Sequence, residues 1–108
     1  MGARTNFEMK DAKGSVWLYS HWGGDTKFAD LANALEKARP RWHDVPYAMR
    51  IVVSQLIGDT WDSETGFGLS SYFCSEEQYT PVCVDFENGV VIINGESQSF
   101  DDYVSDWV

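Results

Sequence analysis

Residues 81–94 read PVCVDFENGVVIIN. Two runs rich in β-branched and aromatic residues, Pro81–Glu87 and Val90–Asn94, flank the dipeptide Asn88-Gly89. That dipeptide is a strong hairpin signal, because a two-residue type I′ turn needs φ > 0 at both central positions. A two-residue loop pairs Phe86 with Val91 and Val84 with Ile93. Val82, Val84, Phe86, Val91 and Ile93 then share one face, suited to meeting helices. Cys83, Asp85, Glu87, Val90 and Ile92 share the other.

Toward the C-terminus, Ser99 opens a short helix whose Phe100, Tyr103, Val104 and Trp107 fall at i, i+3, i+4 and i+7. Asp102 stands three residues after Ser99 as in a capping box, and Asp101 and Asp102 suit the positive helix end. Toward the N-terminus, Gly66–Phe73 reads as a strand with Phe67, Leu69 and Phe73 on one side, and Gly66–Cys74 forms a hairpin with Thr80–Glu87 if five residues make the loop. A helix starts near Asp44, with Pro46 in its first turn. Its broad apolar set (Met49, Ile51, Val52, Val53, Leu56, Ile57) predicts the central, most buried helix, although the run Ile51-Val52-Val53 also admits a strand. Before it, Phe28, Leu31, Ala32 and Leu35 form one helical stripe between a cap at Asp25 or Thr26 and a stop at Pro40. Ser15–His21 alternates as a strand.

Residues 1–14 are polar and without period, and they read as a mobile arm, with a short edge strand at Asn6–Met9 as the alternative. Residues 15–108 then form one α+β domain in the order β-α-α-β-β-β-α, an antiparallel sheet with helices packed on one face.

The 108 residues have a net charge of −9, and the charge is unevenly placed. Residues 1–50 hold eight bases and six acids, a net of +2, whereas residues 51–108 hold eleven acids and no Lys or Arg. Such asymmetry bears on partners rather than on fold. It argues against direct binding to a phosphate backbone. With 44% apolar and 15% aromatic residues, wholesale disorder is excluded. No apolar run spans a bilayer, and MGARTNFEMKDAKG has no apolar h-region, so a cytoplasmic protein without a membrane partner is expected.

Little in the sequence points to catalysis. In the hairpin just described, Cys74 and Cys83 lie three pairs apart, too far for a disulfide, and their spacing to the histidines makes no zinc site. Gly66-Phe67-Gly68 lacks the third glycine and following helix of a dinucleotide fingerprint. Asp59, Asp62 and Glu64 begin like a calcium loop but lack its glycine and closing Glu. No cofactor is expected. Ser20 or Cys74 with His21 and Asp44 supplies the residue types of a nucleophilic site, against a plain structural role for His21. Trp61, within the acidic loop GDTWDSETG, is either a helix cap or an exposed interface anchor.

At LYSHWGGD (18–25), RWHDVPYAMRI (41–51), DSETGFGLS (62–70) and PVCVDFE (81–87) the chain resembles a group of small phage- and prophage-associated proteins. That group carries Tyr-Ser-His-Trp-Gly, an Arg-Trp-Asp-Pro-Tyr stretch and Thr-Gly-Phe/Tyr-Gly-Ile/Leu-Ser. The matching residues include Tyr19, Ser20, His21, Trp22, Gly23, Arg41, Trp42, Thr65 and Gly66; His43 and Val45 depart from the pattern. The resemblance spans roughly residues 17–93 and implies a setting, with no catalytic residue attached.

Together these features lead to a non-enzymatic inhibitor, anti-CRISPR-like or otherwise anti-defence, docking its acidic half on a basic, nucleic-acid-binding surface of a host protein. The expected contacts are Asp59, Asp62, Glu64, Glu76 and Glu77 with Trp61 as anchor, and Asp101, Asp102 and Asp106 as a second patch. The alternatives are an immunity or adaptor protein binding through an apolar surface, and a small enzyme using Ser20, His21 and Asp44. Either a monomer or a homodimer is compatible with the sequence.

Overall fold

The computed structural model describes residues 5–20, 26–60, 62, 67–71 and 82–107. Its centre is a strand that the sequence pattern left in doubt. In β1 (Thr5–Asp11) Phe7 and Met9 alternate with Glu8 and Lys10, the period of a strand with one buried face. β1 pairs antiparallel with β2 (Gly14–Ser20), setting Phe7 opposite Leu18 and Met9 opposite Val16. On its other side β1 pairs parallel with β4 (Val82–Asp85), setting Phe7 by Val82 and Met9 by Val84. The six strands run in the order β3-β2-β1-β4-β5-β6, with β3 (Phe67–Ser70), β5 (Val90–Ile93) and β6 (Glu96–Ser99) joined by antiparallel pairings.

Three expectations are corrected here. Thr5–Asp11 is an interior strand and not part of a mobile arm, because its buried Phe7 and Met9 complete the apolar face shared with Leu18 and Val82. The sheet is mixed and not antiparallel throughout, since β1 and β4 run the same way. β3 does not pair with β4: it lies at the sheet edge against β2, with Leu69 opposite Leu18.

A fourth difference concerns the hairpin. β4 and β5 pair Val84 with Val91 and Val82 with Ile93, leaving Phe86–Gly89 as a four-residue loop. Of the loop residues only Gly89 has positive φ (68°), so the type I′ geometry is absent. Asp85 directs this choice: its buried carboxylate accepts the backbone amides of Glu87 (3.0 Å) and Asn88 (3.1 Å) and the Asn88 side-chain amide (2.8 Å). The register moves by two residues, an even slip that keeps Val82, Val84, Val91 and Ile93 on one face. The two-residue hairpin occurs one turn later, at Asn94 (φ 54°) and Gly95 (φ 82°), where Ile93 faces Glu96 and β6 begins.

The helices cover the face bearing Phe7, Met9, Leu18, Val82, Val84 and Val91. Every element of the expected order is present, with β1 and β6 added to it. α1 (Lys27–Ala38) lies between α2 (Val45–Ile57) and α3 (Phe100–Trp107). It is therefore α1, and not α2, that is most buried: Leu31, Ala32, Ala34, Leu35 and Ala38 are all enclosed, and the alanines permit close approach of its neighbours. α2 flanks the layer, where Met49 lies by Met9 and Val16, and only Ala48 and Val52 are fully buried. The Trp42 indole donates to the Leu35 carbonyl (2.9 Å) and packs edge-on to Phe100, fastening the α1–α2 connection over α3. At the start of α1 the buried Lys27 ammonium donates to the Thr5 hydroxyl and lies 5.4 Å from the Phe7 ring centre.

Two stability predictions result. Replacing Gly95 with alanine meets no steric obstacle yet strains φ, so G95A should lose about 1–2 kcal/mol in urea unfolding, while G68A on β3 should change little. Burial disfavours the Asp85 charge, but the Asn88 side chain and backbone, Lys10 and the Glu87 amide outweigh it, so its carboxyl titrates below the ordinary range. A depressed folded-state pKa contributes stability above the unfolded value, near pH 4, and loses it as pH falls through the folded value. D85N should accordingly be less stable than wild type at pH 7 by about 1.5–3 kcal/mol, with the gap closing toward pH 2.

Candidate protein-interaction surface

The surface begins with α3, whose sequence FDDYVSDW divides into two faces. The Ser99 hydroxyl accepts the Asp102 amide (3.1 Å), capping the helix where Asp101 and Asp102 also complement its positive end. Phe100, Tyr103 and Val104 are buried. The Tyr103 hydroxyl donates to the Phe28 carbonyl (2.8 Å), Trp107 stacks on Phe28 at 5.5 Å, and burial pushes the Tyr103 phenol upward. With that side fixed, Asp101, Asp102, Ser105 and Asp106 must face water.

Their surroundings differ. Asp101 is paired with Arg39 (2.9 Å), whose guanidinium also meets Glu36 and lies 4.4 Å from the Trp42 ring centre. Asp106 accepts the Gln98 side-chain amide (2.6 Å) across from β6. Glu96 stands two residues from Gln98 and thus on the same face of β6. Asp102 and Asp106 are an i, i+4 pair of like charge, an arrangement that costs a helix a few tenths of a kcal/mol. Among the described residues, Arg39 makes the ion pairs, and none reaches Asp102, Asp106 or Glu96. One flank of the molecule thus presents three carboxylates that no cation among the described residues reaches.

The other expected acids are placed differently. Asp59 lies in the 3₁₀ turn Gly58–Thr60 directly after α2, and Asp62 follows it; both are exposed. A carboxylate at a helix C-terminus opposes the helix dipole. Because α1 separates α2 from α3, Asp59 and the α3 acids lie on opposite flanks of the helical layer, not in one patch. Trp61, Glu64, Glu76 and Glu77 fall outside the described residues. Glu96 and Gln98 were missed, although Asn94-Gly95 signalled the turn that brings them beside α3.

The arrangement required by a nucleophilic site is not assembled between the two members that can be located. Ser20 is buried at the end of β2 opposite Thr5, at the level of the start of α1, whereas Asp44 precedes α2 beyond the end of α1. A twelve-residue helix, about 18 Å long, lies between those levels. His21 and Cys74 are outside the described residues. On the sheet face away from the helices, a depression of about 200 Å³ is bordered by Glu8, Trp17, Cys83 and Ile92, smaller than ordinary ligand pockets. Glu8 accepts the Ser15 hydroxyl there (2.6 Å). Burial first, and then Glu8, push the Cys83 thiol up to about 11. Among the described residues no cluster of three metal-ligating side chains occurs, and no helix is long and apolar enough to cross a membrane.

No protein-family model, curated protein or solved structure matches the chain.

A thiol near 11 is almost wholly protonated at pH 8, so Cys83 should alkylate with iodoacetamide about 100-fold more slowly than a free thiol of pKa near 9. Mass spectrometry of the Cys83 peptide across pH 7–11 should show the rate still climbing above about pH 10.

Proposed function

We propose that this protein is a non-enzymatic, phage-type inhibitor that sets carboxylates against the basic, nucleic-acid-binding surface of a host defence protein. The reading is carried by the flank formed by β6 and α3. There Glu96, Asp102 and Asp106 are exposed, and among the described residues no cation reaches them, Arg39 pairing with Asp101 instead. Like charges held on rigid elements do not stabilise the fold, and they match Arg and Lys side chains that otherwise hold phosphates. Inhibition is by competition, and the field of the base-free half, residues 51–108, speeds encounter. The resemblance to small phage-associated proteins agrees with this setting.

A second reading, an immunity or adaptor protein with an apolar interface, is favoured by the opposite edge. Leu69 is 61% exposed and Val16 38%, both on the helix-bearing face at the β2–β3 end. The two readings differ in salt dependence, since exposed charge pairs are heavily screened at about 0.5 M salt.

The test is retention of bacterial lysate proteins at low salt and at about 0.5 M, followed by competition with nucleic acid and by association kinetics with the retained partner. A nucleic-acid-binding partner that high salt and DNA or RNA both release is expected. E96Q/D102N/D106N should slow its association about ten-fold at low salt. Unchanged kinetics would overturn the charge-based reading, and a partner retained at high salt would favour the apolar one.

A further inference from the structure

We infer that β6 is a strand-addition site for an extended, basic segment of the partner protein. The inference rests on the acidic-flank reading and specifies how that flank is engaged. β6 is the last strand of the sheet, and Glu96, Ser97 and Ser99 along it are exposed. Which backbone groups are available follows from the ladder. The Phe100 amide donates to the Gly89 carbonyl (2.9 Å), continuing the pairing of Glu96 with Ile93 and Gln98 with Val91. In an antiparallel ladder alternate residues turn their groups to the same neighbour, so Glu96 and Gln98 bond β5 while Ser97 and Ser99 point away from the sheet. The Ser99 carbonyl serves α3 as its cap residue. The Ser97 amide, the Ser97 carbonyl and the Ser99 amide are left on the outer edge, and among the described residues nothing bonds them.

Edges are ordinarily protected by short length, charged side chains, proline or a bulge. β6, Glu-Ser-Gln-Ser, is short and carries the charge of Glu96, which repels acidic strands and not basic ones; it has no proline, and the two-residue turn at Asn94-Gly95 keeps its register regular. Charge selects the occupant. A strand laid along β6 would project every second side chain onto the face holding Glu96, Gln98 and Asp106, with Asp102 one helical turn away. Lysine or arginine at those positions meets three carboxylates that no cation among the described residues neutralises. The intervening side chains lie beside Ser97 and Ser99, with Ile92 and Val90 one strand further in. A second copy of this chain is disfavoured, because joining two β6 edges brings both sets of carboxylates together.

The probe is a labelled eight-residue peptide of alternating lysine and threonine. Its control has the same sequence with the alternate backbone amides N-methylated, preserving charge and removing donors. Binding to the full chain is followed by amide NMR and fluorescence anisotropy up to about 1 mM peptide. We expect the unmodified peptide to shift the Ser97 and Ser99 amides and the methylated one to bind at least ten-fold more weakly. S97P removes only an outward amide and therefore spares the β5 ladder; it should weaken binding equally. Equal binding of both peptides with S97P indistinguishable from wild type overturns strand addition while leaving the acidic flank intact. Binding that E96Q/D102N/D106N does not weaken removes the charge-based reading itself. Absence of peptide binding, or a dimer of the free chain that S97P disperses, also overturns the proposal.

Discussion

The parallel pairing of β1 with β4 is the contact on which the architecture depends. It joins residues 7–10 to residues 82–85, and through it the first half of the chain, which supplies β1, β2, α1 and α2, meets the second, which supplies β4, β5, β6 and α3. The pairing sets Phe7 and Met9 beside Val82 and Val84 under α1, so the centre of the sheet and the centre of the helical layer coincide. β2 and β3 extend the sheet on one side of that seam and β5 and β6 on the other, while α1 lies across it against both α2 and α3. α2 covers the β1–β2 hairpin, while α3 follows β6 and packs against it.

The seam also organises charge. All eight bases belong to residues 1–50 and eleven of the acids to residues 51–108; the fold sets the acids of β6 and α3 on one flank and leaves Asp59 beside α2 on the other. Arg39 joins the two segments: it extends from the end of α1, rests on Trp42 and holds Asp101 at the start of α3. Asp101 is thereby neutralised by a cation at the end of α1, whereas among the described residues no cation reaches Asp102 or Asp106, one residue and five residues further on. A sequence count cannot separate these roles, because it does not include the cation brought by the fold.

What could be read in the sequence was what is local. The helices over 27–38, 45–57 and 100–107 follow from apolar spacing, with a side-chain cap realised at Ser99 and not at Thr26, whose hydroxyl donates to Asp30 instead, and the face shared by Val82, Val84, Val91 and Ile93 follows from alternation. The hairpin was located in the correct segment but with the wrong turn, because Asp85 captures two amides that a type I′ turn would use otherwise. β1 carries the alternation of a strand, yet its parallel partner lies some 75 residues away and no turn announces it. The burial of α2 was overestimated because hydrophobicity records affinity for an interior and not position: α1 is central through small residues, Ala32, Ala34 and Ala38, that score weakly. For the proposed surface, Asp102 and Asp106 stand out in the sequence by charge, whereas the place of Glu96 beside α3 depends on a second Asn-Gly turn that folds β6 back.

The remote pairing of β1 has a consequence for how the chain is made. Synthesis proceeds from the N-terminus, so the β1–β2 hairpin and the first two helices emerge before residues 82–85 exist. Throughout that interval the inner edge of β1 lacks its native neighbour, and Phe7 and Met9 lack Val82 and Val84. A contact so distant in sequence is among the slower ones to form, and an open apolar edge is the kind that joins other chains. Arrest on the ribosome before residue 82 therefore yields an aggregation-prone nascent fragment, and the last quarter of the chain acts as the internal clasp that ends this exposure.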